Sequence, residues 1–245
     1  GRSDGSVVLV TLGTEYWTNF RAAPVKQGDP TSDLLLQQPE QEDTSQEPFE
    51  ITHQFMAGAN AISAIMVADH ADKDDTVLVT ASNDGVIHLW AYPDTSNDKV
   101  VPLRTLEFHR GSVVALKKVK MADNKELLCS ASRDGTMALW DLWTGDLVFH
   151  CSMWKEEENN GSNSITCADV EGSHIYVGLS SGYIVGYLVD EMVQAASVGD
   201  AFPKPNGKFK AHDAGVTALS CAGEGSLRIS RPDTKSSILL TGGTD

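Results

Sequence analysis

The sequence predicts an all-β chain built from repeated four-stranded antiparallel sheets. Three observations predict it. The stretch His109–Asp141 contains three strand-like runs, Val113–Val119, Leu127–Ser132 and Thr136–Trp140. An Asp134-Gly135 pair separates the last two runs, and Asp-Gly between strands signals a tight hairpin because Gly takes positive φ without steric cost. The same layout then recurs. Asp4-Gly5, Asp84-Gly85, Asp134-Gly135 and Ser181-Gly182 each precede a strand, with Val10, Trp90, Trp140 and Tyr187 at the equivalent large apolar position. The closing TGGTD repeats the pattern up to Asp245.

Taken in order, Ser6–Leu12 reads as the third strand of a sheet and Phe49–Phe55 as its delayed outer strand. Residues 13–48 between them form an acidic insertion. Its later part, QQPEQEDTSQEP, has almost nothing to bury and reads as disordered, while EYWTNF has aromatics to pack locally. The next sheet takes Ala61–Ala68, Thr76–Ser82, Val86–Tyr92 and Pro102–Phe108. The third takes Ser112–Val119, Glu126–Ser132, Thr136–Asp141 and Asp146–Met153, with a tight turn at Thr144-Gly145. The fourth takes Ser164–Val170, Ser173–Leu179, Tyr183–Val189 and, after a second loop insertion at 190–206, Gly207–Lys210. In that insertion DEMVQAAS suits a short helical turn, which PKPNG ends. Gly215–Ala222 and Ser237–Gly243 supply two strands of a last sheet.

A period near 40–45 residues with a Trp-Asp ending is a propeller-blade signature. The chain resembles the WD-repeat β-propeller family across residues 1–245, with two intervals stretched by the insertions. The resemblance implies a hydrogen-bonded relay of a blade-opening His, a Ser or Thr on the second strand, the turn Asp, and the third-strand Trp. His109, Ser130, Asp134 and Trp140 fill all four positions. Thr80, Asp84 and Trp90 fill three, with Gly58 in place of the His. His212, Thr241 and Asp245 fill three others. In the remaining repeat Gly161, Gly178, Ser181 and Tyr187 replace all four, so that sheet is expected to hold by packing alone. Each relay bond is worth about 1 kcal/mol net, and burying each Trp roughly 2 kcal/mol or more.

Composition narrows the function. At 245 residues, 41% hydrophobic and 22% charged, the chain is globular. A net charge of −15 argues against a phosphate-neutralising nucleic-acid surface. No run is long and apolar enough to span a membrane. The chain starts and stops inside a repeat, which reads as a fragment of a longer protein. Cys129, Cys151, Cys167 and Cys221 lack C-x-x-C spacing and read as reduced core thiols, which points to an intracellular protein. No phosphate-loop, metalloprotease or calcium-loop motif is present, and the other His residues lack ligand spacing, so no cofactor or metal is expected.

His109, Ser130 and Asp134 invite a catalytic-triad reading. Ser130 sits mid-strand among apolar neighbours, however, and a nucleophile needs exposure and an oxyanion hole. The same trio recurs as His212, Thr241 and Asp245, which suits a structural device better than one active site. The expected function is a non-catalytic scaffold that binds proteins or peptides. The alternative is a substrate-recruiting accessory domain of an enzyme, such as a ubiquitin-ligase adaptor or kinase-linked protein. By the resemblance, both insertions share one propeller face. Partners meet the opposite one, where Asn83, Arg133 and Thr244 precede the turn Asp positions and Arg110 and Asp213 follow the blade-opening His residues. Arg110 and Arg133 are candidate contacts for an acidic partner.

Overall fold

The computed structural model describes residues 3–12, 49–69, 76–91, 101–152, 163–197, 204–222 and 238–245. The acidic insertion at 13–48 lies outside them. Sixteen strands and one helix are seen among these residues. They are β1 (Ser6–Leu12), β2 (Phe49–Met56), β3 (Ile62–Asp69), β4 (Thr76–Ser82), β5 (Val86–Ala91), β6 (Pro102–Glu107), β7 (Val113–Lys120) and β8 (Glu126–Ser132). There follow β9 (Thr136–Asp141), β10 (Leu147–Ser152), β11 (Ile165–Glu171), β12 (His174–Leu179), β13 (Tyr183–Leu188), helix α1 (Val189–Ser197), β14 (Gly207–Lys210), β15 (Val216–Ala222) and β16 (Ile238–Gly243).

Three meandering four-stranded sheets run β3-β4-β5-β6, β7-β8-β9-β10 and β11-β12-β13-β14, and β1-β2 and β15-β16 form two-stranded sheets. The pairing within the four-stranded sheets and within β15-β16 is antiparallel. The expected all-β blade architecture is therefore present. The chain divides into two compact units, one of Gly1–Val7 with Met56–Asp245 and one of Val8–Phe55.

Within the larger unit the second strands of the β3–β6 and β7–β10 blades are buried on both faces. Val77–Ser82 and Leu127–Ser132 are buried at every position. That burial is why these runs read as continuous apolar stretches rather than alternating ones. Two apolar clusters fill the spaces between sheets. One joins Leu89, Ile87 and Leu106 to Leu116, Leu128, Trp140 and Leu142. The other joins Leu127, Met137, Leu139 and Phe149 to Ile175, Val177 and Tyr187.

The short helical turn expected of DEMVQAAS in the second insertion is present. The first part of the insertion continues β13 into α1, nine residues long. Val189 and Met192 are buried in the same core as Phe149 and Cys151 of β10. Asp190 and Glu191 lie in the first turn, where carboxylates suit the helix dipole. Asp190 also accepts the Ala122 amide at 3.3 Å, tying the helix to the β7–β8 turn. The segment is helical because its apolar residues at 189, 192, 193 and 196 fall on one face that has a sheet to cover.

The turn glycines join neighbouring blades. Gly85 has φ +91° and lies against the His109 carbonyl oxygen of the next blade, where a Cβ would collide. Gly182, at φ +81°, meets the His212 and Ala214 carbonyls in the same way. Gly172, at φ +57°, has open space around it. Gly172→Ala should therefore cost only the left-handed strain, about 1 kcal/mol. Gly85→Ala should cost at least about twice that, because the blades must also part. Urea unfolding midpoints of the two variants measure the difference.

Candidate functional site

The β7–β10 blade holds the full relay residue set, and the strands deliver its groups in register. Leu116↔Ser130 and Ser130↔Ala138 pair across β7, β8 and β9, with Ser130 wholly buried and His109 7% exposed. Trp140 Nε1 donates to Ser130 Oγ at 2.9 Å. His109 Nε2 lies 2.7 Å from Ser130 Oγ, and His109 Nδ1 lies 2.7 Å from Thr136 Oγ1. Thr136 Oγ1 donates to Asp134 Oδ1 at 2.5 Å. Each hydroxyl has one proton. With Trp140 donating to Ser130, the chain closes when Ser130 donates to His109 Nε2 and His109 Nδ1–H donates to Thr136. A neutral His109 protonated on Nδ1 satisfies every link.

The electrostatics agree. Burial pushes His109 down to about 4, against an opposing pull from Asp134. Burial pushes the Asp134 carboxyl up, but hydrogen bonds from the Thr136 hydroxyl and the Arg110 and Thr136 amides outweigh it and hold the group below the usual range. Asp134 Oδ2 accepts the Arg110 amide at 2.6 Å, so this carboxylate fixes the loop that opens the blade.

Thr136 is a member that sequence reading missed. Its signal is a hydroxyl two residues past the turn Asp, and Ser6 repeats it by donating to Asp4 Oδ1 at 2.7 Å. In the β3–β6 blade, Trp90 Nε1 donates to Thr80 Oγ1 at 2.9 Å. Gly58 brings no ring there. Asn60 instead donates to Asp84 Oδ2 at 2.7 Å, and the Ser82 hydroxyl donates to Asp84 Oδ1. In the last sheet His212 Nδ1 lies 3.0 Å from Asp245 Oδ1 and Nε2 lies 3.0 Å from Thr241 Oγ1. The Asp213 amide donates to Asp245 Oδ2 at 3.2 Å.

The β11–β14 blade does not hold by packing alone. Thr166 Oγ1 donates toward Gly178 O at 3.0 Å and toward Val216 O of the next sheet. Asp169 bridges both neighbours, pairing with Lys117 Nζ at 2.7 Å and accepting the Cys221 amide at 2.7 Å. Gly161 lies outside the described residues. Gly178 is required because a Cβ would meet Cys167 Sγ at 2.6 Å and Val216 Cγ1 at 2.9 Å.

The five surface candidates share one end of the sheets. The Asn83 amide donates to Ala61 O at 3.0 Å, Arg133 to Ser112 O at 2.9 Å and Thr244 to Gly215 O at 3.2 Å. Each second-to-third turn is thus stapled to its own blade-opening loop. Asn83, Arg110, Arg133, Asp213 and Thr244 are all exposed. Asn83 Oδ1 also accepts the Ser112 hydroxyl at 2.8 Å, linking two blades.

The four cysteines are free, Cys129 and Cys151 buried, Cys167 and Cys221 half-buried. Burial pushes the Cys129 and Cys151 thiols up to about 12. Among the described residues no group of three His, Cys, Asp or Glu side chains could hold a metal ion. No helix among them is long and apolar enough to cross a membrane.

Two stability measurements test the relay. Trp140→Phe should cost about 1–2 kcal/mol by deleting the indole donor. Ser130→Ala should cost more, because it strands two buried partners. The double variant should cost less than the two separate losses together, as expected of one shared bond. His109 has a folded value near 4 against an ordinary 6.5. The unfolded chain thus binds the extra proton between these values, so His109's contribution is full above about pH 6.5 and is lost as pH falls toward 4. Thermal midpoints should fall more steeply over that window in the wild type than in His109→Gln.

The family model "WD domain, G-beta repeat" matches residues 53–91 and 100–141. The nuclear distribution protein nudF of Aspergillus niger is 40% identical over 31% of this chain and 16% of its own length. The pre-rRNA-processing protein crb3/ipi3 of Schizosaccharomyces pombe is 29% identical over 46% of this chain and 26% of its own. Human striatin-4 is 26% identical over 55% and 18%. The chain thus spans about a quarter or less of these relatives. A chain of a crystal structure of the mitotic checkpoint complex matches 80% of this chain and 48% of its own, with TM-score 0.52 and 14% identity, a likeness of fold. With the Trp140-Asp141 ending, the buried relay and the stapled blade loops, these matches identify WD repeats at residues 53–91 and 100–141, and the four-stranded antiparallel sheets have the form of β-propeller blades.

Proposed function

We propose that the chain is a non-catalytic interaction scaffold that presents the loop end of its blades to partner proteins or peptides. The observation behind this reading is the division of labour at that end. Backbone bonds and the Asp134 and Asp245 carboxylates fix the loops, while Asn83, Arg110, Arg133, Asp213 and Thr244 keep their side chains in solvent. A rigid frame with exposed, varied loop residues is suited to recognition. The triad-like reading is disfavoured by Ser130 itself. Its hydroxyl is wholly buried, bonded to His109, and accepts from Trp140, which leaves no path for a substrate carbonyl. The relatives include nuclear distribution and ribosome biogenesis proteins, a range that fits one scaffold serving unrelated assemblies.

The test is affinity capture with the full-length protein, quantified by mass spectrometry. Combined Arg133→Glu and Asp213→Lys substitutions should remove most specifically retained proteins. Asp146→Lys, at the exposed β9–β10 turn on the opposite end, should leave them. Equal retention by both variants would move the binding surface elsewhere.

A further inference from the structure

The partner's chemistry can be read from unbalanced charge at the loop end, on the premise that this end binds partners. The chain has a net charge of −15. Three of its lysines, Lys117 and Lys118 on β7 and Lys125 in the β7–β8 turn, are neutralised in place. Lys117 pairs with Asp169 at 2.7 Å, Lys118 with Glu126 at 3.0 Å and Lys125 with Asp141 at 3.0 Å. Arg110 and Arg133 differ. Both are exposed, and neither has an ion pair among the described residues. They belong to one corner of one blade, because the Arg110 amide donates to the side chain of Asp134, the residue next to Arg133. The Arg133 amide in turn donates to Ser112 O, two residues past Arg110. The carboxylate that holds this corner offers little neutralisation, since Asp134 is half-buried and accepts from the Thr136 hydroxyl and two amides. What sets this corner apart is that two exposed guanidinium groups meet in one loop cluster without an ion pair among the described residues, and a planar guanidinium binds carboxylates in a two-pronged geometry.

We infer that the Arg110–Arg133 corner receives a carboxylate-rich segment of a partner protein. The overall negative field repels acidic chains, so only a partner reaching this corner gains from its acidity. That makes the pair a selectivity device as well as a contact. Asn83, whose amide belongs to the neighbouring turn, extends the corner with polar hydrogen-bonding capacity.

A fluorescein-labelled peptide of alternating Glu and Gly residues, and its Gln counterpart, are titrated with the full-length protein and followed by anisotropy. The acidic peptide should bind and the Gln peptide should not. Arg110→Gln with Arg133→Gln should weaken binding by about tenfold or more. Lys204→Gln with Lys208→Gln, an equal charge change at another exposed place, should change it little. Both arginine side chains lie outside the relay, so matched thermal midpoints confirm folding. No binding of the acidic peptide, or an equal loss from the lysine control, overturns the inference. If capture still depends on Arg133→Glu and Asp213→Lys while the acidic peptide fails to bind, the scaffold reading stands and the acidic-partner inference falls.

Discussion

The blade depends on one buried hydroxyl. Ser130 Oγ is the point where the third-strand indole and the blade-opening imidazole meet, and it sits on the strand between them. Removing a Trp or His from water is favourable only when its N–H groups find partners. Here the partners form a directional chain, with one proton per link, ending on a carboxylate that also grips the Arg110 amide. Packing inside the blade and loop position at its end are thus set by the same groups.

The chain does not repeat that solution faithfully, and the variations share a physical logic. The turn Asp always needs donors. Thr136 and Arg110 supply them in one blade, Ser82 and Asn60 in another, His212 and Asp213 in a third. Where the Asp is lost, as at Ser181, the tie to the next blade moves to Thr166 and Asp169 on the inner strand. Satisfying buried polar groups is the constraint, and residue identity at any one position is not.

That logic explains what the sequence could and could not disclose. The strands were legible because Asp-Gly turns punctuate them and apolar runs fill them. Ser6–Leu12, Thr76–Ser82, Glu126–Ser132, Thr136–Asp141 and Gly207–Lys210 agree to the residue, and the others shift by about one at one or both ends, as strand boundaries do. The Ser130 contacts were legible because four residue types fall at fixed offsets. Thr136, Asn60 and Thr166 were not, because a donor that replaces another from a different position leaves no pattern to match. Helix α1 was legible only as a short turn, since its stability comes from a β10 core that lies distant in sequence.

Consider finally where the chain can lengthen. The stapled loops lie at one end of the sheets, while α1 extends from the third-to-fourth strand connection at the other. At that second end carboxylates hold the connections themselves: Asp141 accepts the Trp143 and Thr144 amides and pairs with Lys125, and Asp190 accepts the Ala122 amide. A segment such as α1 is accommodated there without disturbing the stapled loops, so the architecture separates a fixed edge from one open to elaboration.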